Sequence, residues 1–95
     1  MISIDETSRI ERNESIPTGV IGGEMVALDL VKGDCFGMDA IGTRIWALAE
    51  SSAKVSTIVD QLTSEFEVDR PTCSADVLAF LTKLAEAGLI RRVGG

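Results

Sequence analysis

The stretch from Asp69 to Gly88 constrains the fold more than any other, because it marks both ends of a long helix and loads it with apolar surface. Asp69 carries an N-cap side chain, Pro71 sits in the first turn where its missing N–H costs nothing, and Gly88 stands where a helix ends in a left-handed residue. At 100° per residue, Cys73, Val77, Leu78, Phe80, Leu81, Leu84, Ala85 and Ala87 cover about half of the wheel, against the roughly 100° stripe that a surface helix buries. The edge formed by Phe80, Ala87, Cys73 and Leu84, rimmed by Asp76 and Lys83, is surface that a partner could take. Periodicity alone equally allows both edges to be core.

With 95 residues the chain can build one hydrophobic core and no second. Its 45% hydrophobic and 25% charged residues suit a packed domain and not a disordered segment. No apolar run approaches the roughly 18 residues that span a bilayer, and MISIDETSRIERNES is too charged for a secretory segment, so no membrane association and a cytoplasmic location are expected. Cys35 and Cys73 form no CxxC pair and there is no histidine, which argues against a metal site and for two reduced, partly buried thiols. Absence of His and Tyr removes two of the commonest proton-transfer groups, and no glycine-rich phosphate loop occurs. A non-enzymatic binding module without a cofactor is the expectation. The formal net charge of -6, with no basic segment either up to Met38 or from Asp39 to Gly88, argues against nucleic acid as a partner.

Residues 1–14 show no sustained period and read as a mobile arm or loosely attached strand ahead of a domain over 15–92. From Ser15 to Met38, apolar runs broken by Gly22-Gly23 and Gly33 read as three strands near residues 15–21, 24–30 and 34–38. A three-residue loop Val31-Lys32-Gly33 would set Leu30 opposite Asp34, Leu28 opposite Phe36 and Val26 opposite Met38, with Gly33 at positive φ. Three helices follow. Asp39 caps the first, to about Glu50, with Ile41, Ile45 and Leu48 in one stripe beside a buried Trp46. The second covers about Val55 to Glu67, its cap left open between Ser52 and Ser56, and the third is the helix already described. The fold class is α+β and winged-helix-like, a three-stranded antiparallel sheet followed by three helices.

Gly33, Phe36, Met38, Asp39, Gly42, Ile45 and Trp46, followed by Val77, Phe80, Leu81, Leu84, Gly88 and Leu89, form an ordered pattern. It resembles that of the PqqD-like family of recognition elements for ribosomally synthesised, post-translationally modified peptides, along about residues 15 to 90. The pattern departs at Cys35, where an aromatic residue is common, and at Met38, where leucine is usual. The resemblance implies recognition of a precursor's leader segment and its delivery to a partner leader peptidase or modifying enzyme. A lasso-peptide system is favoured over a pyrroloquinoline quinone-type carrier serving a radical enzyme.

Sequential strand order would leave Asp34, Cys35, Phe36, Gly37 and Met38 as a sheet edge with unpaired backbone groups, open to an added peptide strand. Alternate peptide side chains would then reach Cys73, Asp76, Val77, Phe80, Lys83 and Leu84, with Phe36, Phe80 and Leu84 as anchors. Core is the stronger reading for Leu84 and Val77, and Phe36 could also be core. Rival readings are a winged-helix DNA-binding regulator, disfavoured because the third helix has no basic face, and a structural subunit whose edge strand pairs with another copy. A monomer or weak dimer is expected.

Overall fold

Two glycine turns organise the first half of the chain. Gly22 and Gly23, at φ 61° and 85°, close a two-residue turn between strands β2 (Thr18–Ile21) and β3 (Glu24–Asp29). Positive φ at both positions matches the right-handed twist of the flanking strands. Gly33, at φ 74°, precedes β4 (Asp34–Met38), and the sheet runs β2-β3-β4 with both pairs antiparallel. The computed structural model describes residues 4–29, 32–50 and 52–93.

The β3–β4 register differs by one residue from the sequence expectation. Ala27 lies opposite Phe36, Met25 opposite Met38 and Leu28 opposite Cys35, and the ladder ends with Asp29 opposite Asp34. The expected pairing of Leu30 with Asp34 involves a residue outside those described. The cause is legible in the strand Glu-Met-Val-Ala-Leu-Asp, which is apolar on both faces, so alternation cannot choose between them. Packing chooses the face with the small residue. Ala27 is fully buried and Met38 nearly so, while Val26 and Leu28 are half-buried on the other side.

Residues 9–12, expected to belong to a mobile arm or a loosely attached strand, form the central strand of a second sheet. Strand β1 (Arg9–Arg12) pairs antiparallel with β5 (Ala53–Lys54) on one side and β6 (Ile90–Val93) on the other. Ile10 is 0% exposed, in the core with Leu81, Leu84 and Leu89. These strands escape pattern reading because each is short, β1 and β6 are arginine-rich, and their pairing is long-range.

The helices are α1 (Ala40–Leu48), α2 (Val55–Glu65) and α3 (Arg70–Glu86). Asp39 accepts from the Gly42 N–H at 2.8 Å, and Asp69 from the Thr72 N–H at 3.1 Å, as their N-cap positions require. Neither Ser52 nor Ser56 caps α2. The carbonyls of Ser8 and Glu6 accept from the Val55 and Ser56 N–H groups at 2.9 and 3.0 Å, so the N-terminal segment itself serves as the cap. Helix α3 ends with the Leu89 N–H donating to Leu84 and the Gly88 N–H to Ala85, Gly88 taking φ 78°. None of the described helices is long and apolar enough to cross a membrane.

Because β1 closes the core and the residues just before it cap α2, Ile10→Ala should cost about 2–5 kcal/mol in urea unfolding, the range for emptying a buried aliphatic site. Val20→Ala, at a 69% exposed position, should stay within about 0.5 kcal/mol. Equal effects would show that residues 9–12 lie outside the cooperative unit.

Candidate functional site

Strand β4 is an edge of its sheet, and the ladder fixes which of its groups are unpaired. The Leu28 N–H donates to the Pro17 carbonyl at 3.0 Å, continuing the β2–β3 pairing by one residue. Hydrogen-bonding direction alternates along a strand, so Leu28 and Val26 bond toward β2 while Met25 and Ala27 bond toward β4. Phe36 and Met38, their partners, therefore turn N–H and C=O inward. The backbone groups of Cys35 and Gly37 point away from the sheet. Both residues are exposed, and a Cβ on Gly37 would meet nothing within 4 Å.

On the helix side of β4, the Phe36 and Phe80 rings meet edge to face, centroids 6.0 Å apart at 65°. The Phe80 ring reaches on to α1, where a Cβ at Gly42 would come within 3.0 Å of its Cζ. Glycine is therefore needed there for close approach and not for backbone freedom. Beyond the ring an open cleft of about 220 Å³ lies between α1, the end of α2 and the first half of α3. Ile45, Leu62 and Val77 supply buried lining, and Phe66 is half-buried there. Ile41 and Val68, 39% and 38% exposed, keep apolar surface in solvent at the same cleft. Asp39 and Asp76 are its acidic lining. Asp39, which directly follows β4, brings the end of the strand to the cleft lining.

The walls are tied together by charge. Arg44 of α1 donates from Nε and Nη2 to the two carboxylate oxygens of Glu65 on α2, each at 2.8 Å. That bond, then one from Gln61, holds the Glu65 carboxyl down at about 2. Burial pushes the Cys73 thiol up, with the Asp76 carboxylate adding to it, so the thiol in the cleft is kept protonated.

The residues expected to meet a peptide separate into three groups. Phe36 and Phe80 touch, and Cys73, Asp76 and Val77 line the cleft with Phe80. Cys35 and Gly37 form the exposed edge; Asp34 contributes its place in β4, while Lys83 is exposed on α3 outside the cleft lining. Leu84 and Met38, at 0% and 1% exposure, are core. The helical wheel put Leu84 on a spare edge, but the turn at Gly88 folds Leu89 and β6 over it. Ile41, Gly42, Phe66 and Val68 were not among the expected contacts, since the cleft is assembled from three helices and the α2–α3 loop. The one sequence signal was the excess of apolar residues ending α2, at Phe66 and Val68.

The sequence profile of the family described as coenzyme PQQ synthesis protein D (PqqD) matches residues 24–90. Over 52 residues the chain is 36% identical to the PqqA binding protein of Rhodopseudomonas palustris (strain BisB5), covering 55% of this chain and 51% of that protein. The match thus spans about half the length of that curated relative. Among solved structures, TbiB1 in complex with the TbiA(beta) leader peptide superposes with a TM-score of 0.75 at 36% identity, covering 90% of this chain and 99% of that one. Lasso peptide synthetase B1 complexed with the leader peptide gives the same TM-score at 24% identity, covering 86% and 96%, and bears on the fold alone.

The Arg44–Glu65 tie has a pH signature. Glu65 is depressed from the usual 4.5 to about 2, so its contribution is present above 4.5 and lost as pH falls toward 2. Arg44→Gln should return the Glu65 titration, followed by carboxyl NMR, toward 4.5. An unchanged midpoint would mean that Arg44 does not hold Glu65 in solution.

Proposed function

The chain belongs to the PqqD family, and on that premise we propose that it recognises the leader segment of a ribosomally made precursor peptide. The leader is added as a strand on the free edge of β4 and lodges an apolar side chain in the cleft beyond Phe80. The complex is then presented to a partner leader peptidase or modifying enzyme. The observation that carries the reading is adjacency: the outward groups of Cys35 and Gly37 lie on the strand that leads directly into Asp39, a residue of the cleft lining. One peptide in extended form meets both. Backbone bonds at the two edge residues, at roughly 0.5–1.5 kcal/mol each, are blind to sequence. Burying one large aliphatic or aromatic side chain adds roughly 1.5–3 kcal/mol and supplies the selectivity.

The chain's own part in this scheme is binding and not catalysis. It contains no histidine, and its cleft offers carboxylates, one of which, Asp39, accepts from the helix α1 backbone. A lasso-peptide system is the favoured setting on the resemblance of the residue pattern, and the likeness to TbiB1, solved with the TbiA(beta) leader peptide, extends over 90% of the chain at 36% identity and supports leader recognition as such. The PqqA binding protein reaches the same identity over 55%, which keeps a pyrroloquinoline quinone-type carrier as the second reading.

Hydrogen exchange tests the geometry, with the TbiA(beta) leader peptide as probe. The amides of Cys35 and Gly37 should gain protection on binding, while those of Phe36 and Met38, already bonded to β3, should change little. Protection along β2 instead would place the peptide on the wrong edge. Phe80→Ala should weaken leader binding by about 1–3 kcal/mol, whereas Leu84→Ala should act on stability, by about 2–5 kcal/mol. Normal binding by a folded Phe80→Ala would remove the cleft from the site.

A further inference from the structure

Strands β5, β1 and β6 hold five of the chain's nine Lys and Arg residues but one of its fifteen Asp and Glu residues. Four cations are left to face fourteen carboxylates elsewhere. Three of the sheet's five, Arg9, Lys54 and Arg91, share the solvent face with Glu11, whereas Arg12 and Arg92, opposite Ile90 and Ile10, fall on the other face; the β4 edge belongs to the other sheet. Side chains alternate along β1, so with Ile10 in the core, Arg9 and Glu11 point to solvent. Across the sheet, Lys54 and Val93 stand beside Arg9, and Arg91 stands beside Glu11 with an ion pair at 3.2 Å. Arg12 is turned to Trp46 and Glu50, but Arg92 is exposed on the edge strand.

The opposition of Arg9 and Lys54 is a second signal. Like charges directly across a strand pair destabilise a sheet, and the bond from Arg9 Nη1 to the Ser52 carbonyl at 3.1 Å leaves both positive charges in place. We propose that the solvent face of β5-β1-β6 docks an acidic surface of a partner protein while the β4 edge remains free. The proposal is independent of what the β4 edge binds. A partner protein fits better than nucleic acid for a reason of scale. The patch is three strands wide, about 10 Å, and a polyanion rod would run beyond it onto carboxylate-rich surface within roughly one Debye length. A folded partner can confine its carboxylates to the patch. Strand β6, an edge, adds unpaired backbone groups beside Arg91 and Arg92.

The test uses the full chain and a fluorescein-labelled oligoglutamate peptide as probe, with an oligolysine peptide and a short DNA duplex as comparison arms. Oligoglutamate should bind at about 20 mM salt and weaken strongly by about 300 mM. Its amide shifts should centre on Arg9, Lys54 and Arg91. Arg9→Gln/Lys54→Gln should cut affinity roughly tenfold while leaving thermal stability equal or higher, because the like-charge opposition is gone. Failure to bind, shifts centred on Arg70 or Lys83, or tighter binding of the duplex than of oligoglutamate at equal charge would each overturn the proposal.

Discussion

The wedge of Phe80 between Phe36 and the bare Cα of Gly42 is the contact on which the arrangement of the site depends. It fixes α3 against both β4 and α1, and so sets the distance from the strand edge to the cleft. An edge-to-face pair contributes about 0.5–1.5 kcal/mol beyond its buried area, which matters where a hairpin is held by few other contacts. Strand β2 is exposed at all four residues, Val20 and Ile21 at 69% and 67%, so the outer half of the sheet draws little on the core. Without the ring, β4 would be held on its core side chiefly by Met38. The edge would lose the preorganisation that lowers the cost of adding a strand.

What could be read from the sequence was what local chemistry determines. Asp39 and Asp69 cap their helices, Gly33 and Gly88 take positive φ, and the hairpins lie within a few residues of where glycines and apolar runs put them. The register of β4 escaped because β3 offers an apolar side chain on each face, and only the tertiary need for a small residue opposite Phe36 decides between them. The start of α2 escaped for a similar reason. Its capping acceptors are carbonyls of Ser8 and Glu6, some fifty residues upstream, and no pattern around Val55 encodes them.

The site was legible in the same proportion. The half-wheel of α3 correctly marked a helix with more apolar surface than one neighbour can cover, but it could not say which side each neighbour takes. Val77 and Phe80 meet the cleft, whereas Leu84 meets β6 and Leu89. Strand β6 supplies much of the difference, and its four residues Ile-Arg-Arg-Val give a solvated segment's pattern when read alone. Once β1 pairs with it, Ile90 is buried and the arginines become a surface.

The distribution of charge then follows from topology more than from composition. A net charge of -6 describes the chain on average, but the pairing of β5, β1 and β6 gathers cations from residues 9, 54, 91 and 92 into one small sheet. Carboxylates are left around the apolar cleft, with Asp39 and Asp76 in its lining. Two surfaces of opposite character result. The core that joins them contains Ile10, from the basic sheet, and Val77, Leu81 and Leu84 of α3, the helix that also carries Phe80. Both surfaces therefore rest on α3, whose first half lines the cleft and whose last turn hands on to Leu89 and β6.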